Sequence, residues 1–154
     1  MTVATVAIEK EPILIDELQE IAAQKEGLLL VEDVIQWASD NPSSALYHHL
    51  EWSDSKAAHA YRIWQVRVLV GRVTICLVEN NNEPIRAFVS LKADRQEPGG
   101  GYRLLVRVLA DAEKRSLLLA QALEELQEWQ AKYKQLYELA DVFSTIERVR
   151  INNS

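Results

Sequence analysis

Residues 53–91 read SDSKAAHAYRIWQVRVLVGRVTICLVENNNEPIRAFVSL, and the fold turns on how this stretch is divided. Ser53 or Asp54 offers a side-chain oxygen to an otherwise unpaired amide at a helix start. A helix then extends over 54–70. Ala57, Ala58, Tyr61, Trp64, Val68 and Leu69 form its expected apolar face, and Lys56, His59, Arg62 and Arg67 are its polar and basic members. Gly71 is the expected stop. Two β-rich runs follow, 72–78 and 85–91, and the cluster of Asn80, Asn81, Asn82 and Glu83 between them closes a hairpin.

Working back toward the start, Ile15, Leu18, Ile21 and Ala22 recur at helical spacing and predict a helix over 13–24, terminated at Gly27. The apolar run 28–30 suits a short strand. Residues 32–39 read as a second helix, ended at Asn41-Pro42 because the residue before proline is pushed out of the helical region. Ser43 or Ser44 caps a single turn reaching Leu50, with Trp52 as an anchor beneath it. Residues 1–12 lack periodicity and read as a mobile arm. Toward the end, 92–101 is a glycine-rich loop with a mobile tip, and 102–109 alternates weakly as a third strand. Asp111 caps a long helix to about Leu139, and a short helix occupies 141–148.

The expected fold is therefore α+β and mostly helical. Helix, short strand, helix, helix and hairpin over 13–91 is the order of a winged helix-turn-helix domain, followed by the 92–110 loop and strand and a C-terminal helical segment, 111–154. The helix at 54–70 would be the recognition helix and the hairpin the wing. One departure is visible at once: about a dozen residues separate the second helix from the basic one, whereas such turns usually span three or four.

Charge bears on partners. The chain of 154 residues carries a net charge of −6, but residues 1–54 hold two Lys and eleven acids, 55–110 nine bases and four acids, and 111–154 six bases and eight acids. A basic middle between acidic ends can steer a polyanion to one surface, or can pair with the acidic first third. Arginine's planar fork suits guanine edges and phosphate oxygens. On the first alternative Arg62, Arg67 and Arg72, with Lys56 and His59 near the helix start, would read duplex DNA. Arg86, Lys92 and Arg95 would reach phosphates from the wing and the loop after it. Leu119, Leu123, Leu126, Gln130, Tyr133 and Leu136 or Tyr137 follow a three-four spacing with one polar residue in it, and with Trp129 the apolar members form an expected seam for self-association.

Other chemistries find little support. A single cysteine, Cys76, excludes an intramolecular disulfide and a cysteine zinc site, and reads as an inert buried thiol. His48 and His49 point about 100° apart on a helix, so they do not converge on one ion with Glu51 and His59. Glu124 with Glu128, and Glu17 with Glu20, read as solvated helix faces. Gly99–Gly101 lack the lysine and hydroxyl of a phosphate loop. Trp37, Trp52 and Trp64 are assigned to core packing rather than base stacking, and Trp129 to the seam. No apolar run spans a bilayer, residues 1–8 lack the basic start of a secretory signal, and a reducing cytoplasm is the expected setting. No catalytic set and no cofactor is expected.

From Gly27 to Val70 the chain resembles small proteins of unknown function encoded by tailed phages and prophages. The likeness is carried by GLLLVEDVI (27–35), PSSALYHHLEW (42–52), AAHAYR (57–62) and Gln65-Val66-Arg67. It continues in RAFVSL (86–91) and GGGYR (99–103), about half the chain in all. It is a similarity of pattern. It implies a phage or prophage setting, with intracellular DNA or a virion component as partner, and no activity. Three functions follow as expectations: a DNA-binding accessory or regulatory protein, a structural or adaptor protein of phage assembly, or an acidic DNA mimic.

Overall fold

The computed structural model describes residues 12–53, 55–77 and 81–154. The expected arm falls almost wholly outside these residues, as do Asp54 and the start of the hairpin turn. The fold is a mostly helical α+β arrangement in two units, 1–112 and 113–154.

In the first unit, helix α1 (Pro12–Ala23) buries Leu14, Ile15, Leu18, Ile21 and Ala22. The chain leaves it at Gly27, whose φ of +90° is cheap only for glycine and whose amide donates back to the carbonyl of Ala22 at 2.8 Å. Strand β1 (Leu28–Leu30) runs directly into α2 (Val31–Asp40), which buries Val31, Val34, Ile35 and Ala38. A single turn, α3 (Ala45–His48), follows. Ser44 caps it by accepting from the amide of Tyr47 at 3.0 Å, and Glu17 of α1 holds the Ala45 and Leu46 amides with one carboxylate oxygen each, at 2.9 Å. Three of the orphan amides of this short helix are thereby satisfied.

Helix α4 (Lys56–Arg72) begins two residues later than the sequence suggested, with Ser55 as cap, accepting from Ala58 at 3.1 Å. Gly71 does not end it. The helix runs on to Arg72, and Gly71 lies in its last turn, where a Cβ would come within 3.0 Å of the guanidinium of Arg86. The hairpin forms as expected, in a shorter version: β2 (Thr74–Cys76) pairs antiparallel with β3 (Pro84–Arg86), Thr74 opposite Arg86. Two further strands, β4 (Phe88–Val89) and β5 (Gly101–Leu104), complete the β structure.

The sheet departs from the winged-helix expectation. β1 pairs not with the hairpin but with β5, Leu29 opposite Tyr102, and β5 is the middle strand of the order β1-β5-β4. Residues beyond 91 thus supply the centre of this unit's sheet. The expected third strand, 102–109, is also half wrong: it turns at Leu105 into helix α5 (Leu105–Ala110), which buries Val108. The glycine loop packs against the sheet. Gly101 faces Leu30 and the Asp94 carbonyl so closely that a Cβ would sit 3.0 and 3.1 Å from them. A 3₁₀ turn (Ala93–Gln96) is fastened to β5 by Asp94, 4% exposed, which accepts from Nε and Nη2 of Arg103 at 2.9 and 2.8 Å. The core joins α1, β1 and α2 to Leu46, to Val66, Leu69 and Val70 of α4, and to Ile75 and Phe88.

The second unit is a pair of helices, α6 (Ala112–Tyr133) and α7 (Ala140–Asn152), joined through a 3₁₀ turn (Tyr137–Leu139). The expected helix to Leu139 stops six residues early, and α7 is longer than expected. Trp129 of α6 meets Phe143 of α7 edge-on at 5.8 Å, while Leu119 and Leu123 border a groove with Arg150 and Asn153, so the two helices run antiparallel. In this unit only Ile146 is buried, and α6 buries nothing.

Candidate nucleic-acid interface

The core-facing stripe of α4 is not the one read from the sequence. Ala58, Val66, Leu69 and Val70 are buried, while Tyr61, Trp64 and Val68 stand 49%, 55% and 44% exposed. The stripe steps by three and four from Ala58, and the position between Ala58 and Val66 is Arg62. That arginine is therefore turned inward. It is half-buried, its Nη1 donates to the carbonyls of Glu51 (2.8 Å) and Ser53 (3.2 Å), and its guanidinium lies over Trp52 at 5.4 Å. Trp52 in turn stacks on Tyr47 at 4.8 Å and donates from Nε1 to the Tyr47 carbonyl. Arg62 is a strut for the loop before α4. As a reader of bases it is withdrawn.

The remaining expected contacts divide. His59 is half-buried, with Nε2 3.1 Å from a carboxylate oxygen of Glu32. Arg95 is exposed and donates to the Ser90 carbonyl at 3.3 Å. Lys56, in the first turn of α4, and Lys92 are exposed. None of these four lines the feature that follows. Arg67, Arg72 and Arg86 do converge. With Trp64, Val68 and Gly71 they border a shallow depression of about 410 Å³. Arg67 is steadied there by donating from Nε and Nη2 to the Gly99 carbonyl at 3.0 and 2.7 Å, so the glycine loop holds a site residue in place. Gly71 leaves room for the Arg86 guanidinium to lie against the helix.

Tyr61 and Trp64 are the residues that the sequence reading misplaced. Their rings stack on each other at 5.4 Å and 16° on the solvent side of α4. The signal that would have placed them outside is the Ala58–Val66–Leu69–Val70 spacing, which leaves positions 61, 64 and 68 on the opposite side. Aromatic side chains and arginine are enriched at interfaces relative to the rest of a protein's surface.

Among the described residues no group of three or more His, Cys, Asp or Glu is placed to hold a metal ion, and no helix is long and apolar enough to cross a membrane. In the second unit Leu119, Leu126 and Trp129 are exposed, whereas Leu123 and Tyr133 are half-covered. Leu136, also exposed, lies past the end of α6 and so is not a helical seam position. No protein-family model matches this chain, and neither a curated protein nor a solved structure is significantly similar to it.

Proposed function

We propose that this chain is a non-enzymatic DNA-binding protein of accessory or regulatory type, meeting its ligand with the solvent face of α4 and the adjoining hairpin. One observation carries the reading: Arg67 and Arg72 of α4 and Arg86 of β3 gather around one depression, beside the exposed Trp64. Phosphate oxygens match the paired donors of guanidiniums so gathered. The setting would be a phage or prophage, on the resemblance noted above, and two copies pairing through 113–154 would present two such surfaces. The acidic-mimic reading loses ground, because Glu17, Glu32 and Asp33 are engaged within the molecule.

The test is the affinity of the full chain for DNA across a range of salt concentrations. Each phosphate neutralised steepens the log–log slope by about 0.9 on a duplex. R72Q and R86Q together should flatten the slope by one to two contacts, and a flat slope in the unaltered protein removes the proposal.

A second reading, a structural or adaptor protein acting through protein contacts, is favoured by the α6–α7 pair. Leu117, Leu119, Leu126 and Trp129 of α6 and Val142, Val149 and Ile151 of α7 are exposed on helices that bury only Ile146. Light scattering of the free protein distinguishes the readings: a large ring in the absence of DNA supports the adaptor.

A further inference from the structure

We propose that the α4 surface takes unpaired nucleic acid, with a base stacked on the Trp64–Tyr61 pair and flanking phosphates on Arg67, Arg72 and Arg86. This rests on the nucleic-acid reading above and names the form of ligand the surface fits. The argument begins with what each ligand can offer. In a duplex the faces of the bases are consumed by stacking, and a protein meets only their edges in the grooves and the phosphates outside. A helix that reads those edges carries long hydrogen-bond donors outward. Here the middle of the outward face of α4 carries two ring systems instead, and the one arginine nearest the helix start, Arg62, points inward to the carbonyls of Glu51 and Ser53.

A single strand offers the complementary pair, an exposed π-face at every base and a charge at every phosphate. Stacking on an aromatic side chain is tolerant of sequence and gains from neighbouring arginines. Tyr61 and Trp64 are 49% and 55% exposed and nearly parallel, so the pair presents ring surface to solvent. Arg67 and Val68 lie one turn further along the same side of α4 and Arg72 two turns further. At 1.5 Å per residue Trp64 and Arg72 are about 12 Å apart along the axis. That span accommodates a base at one end and successive phosphates of an extended strand at the other. Gly71 contributes by absence, because any Cβ there would press on Arg86 Nη2 from 3.0 Å.

Charge decides against an ordinary protein groove as the occupant. An apolar partner helix would have to desolvate the guanidiniums of Arg67, Arg72 and Arg86, which all line the depression. An acidic peptide would satisfy the guanidiniums and leave the stacked rings without a role.

The experiment measures fluorescence anisotropy of the full chain with three probes: labelled oligothymidylate, a labelled hairpin duplex of mixed sequence, and poly-glutamate as competitor. The expected result is tighter binding of oligothymidylate than of the duplex. W64A should weaken oligothymidylate about ten- to hundredfold, the effect of losing one stacked base, and W64F should restore most of it. R86Q should lower the single-strand salt slope by about 0.7. Trp64 is exposed, so W64A should unfold at the temperature of the unaltered protein, which separates lost stacking from lost fold. Tighter binding of the duplex, with W64A silent, overturns this inference and leaves DNA binding standing. Competition by poly-glutamate as effective, charge for charge, as by unlabelled oligothymidylate overturns it too, since the surface would then read charge alone. Binding of neither DNA probe overturns both this inference and the reading beneath it.

Discussion

In α1, a helix of 12 residues, Leu14, Ile15, Leu18 and Ile21 are all but sealed from solvent, whereas α6, with 22 residues, buries none. The two helices are held by different physics. α1 exists because one of its sides is consumed by β1, α2 and α3, and each fully buried leucine or isoleucine contributes about 1.5–3 kcal/mol. α6 is written in strong helix formers, Ala, Leu, Glu, Gln and Lys, and its length lets propensity and local side-chain pairs do what burial does elsewhere. The comparison teaches that helical sequence and core-forming sequence are separable. The first unit spends its apolar side chains on itself, and the second keeps most of its own on the surface.

The largest effect that sharpens this contrast comes from Leu18, 0% exposed. Leu18→Ala removes packed atoms and leaves a void, so unfolding in urea should show a loss of about 2–5 kcal/mol. A loss below about 1 kcal/mol would mean that the first unit is loosely packed and the distinction between the units is wrong.

Next in size is Asp94. Its carboxylate is almost sealed and grips Arg103 with two bonds. Asp94→Ala strands a guanidinium against β5, and breaking such a pair costs about 3 kcal/mol. Asp94→Ala should also free the loop that ends at Gly99 and so unsettle Arg67. The check is thermal unfolding alongside DNA affinity; both should fall, unlike in W64A, where only affinity does.

Arg62 and Arg86 make a smaller-scale comparison of the same kind, one arginine spent on the fold and one left at the surface. Arg62→Met keeps the stem and removes two bonds to backbone carbonyls and the contact with Trp52, a loss of about 1–2 kcal/mol in stability. Arg86→Gln should leave the unfolding midpoint within measurement error and lower DNA affinity. The reverse pattern would place the ligand surface on the Arg62 side of α4.

How much of this was legible from sequence follows the locality of the forces. α1, β1, α2 and the Ser44 cap were readable because three-four spacing, a glycine with positive φ and a side-chain oxygen before a helix are each written within a few residues. The hairpin was readable for the same reason. The face of α4 was not, because the helix carries apolar side chains around most of its circumference and two stripes compete. Tertiary packing chose the one containing Ala58 and Val66 and rejected the larger rings, which carried Arg62 inward with it. The strand–helix switch at Leu105 was hidden because β5 exists through pairing with β1, more than seventy residues earlier, a contact no window along the chain contains. The end of α6 at Tyr133 was hidden too, since no glycine or proline marks it. Of the candidate site, the arginines were legible by type and the aromatics were not, because exposure of a tryptophan is decided by the rest of the fold.

The smallest expected effect tests what the second unit is for. Leu126 is exposed, so Leu126→Ala in dilute protein removes few contacts and should change stability by less than about 0.5 kcal/mol. The same side chain matters more if copies of this chain pair along α6. Pairing stabilises the folded state by mass action, so the unfolding temperature of the unaltered protein should rise with protein concentration. Leu126→Lys would place a charge in that contact and should abolish the rise while leaving the dilute value where it was. Identical unfolding temperatures for both proteins at every concentration would mean that the apolar side of α6 stays open to water in the free protein, and that the contrast between the two units is one of exposure without self-association.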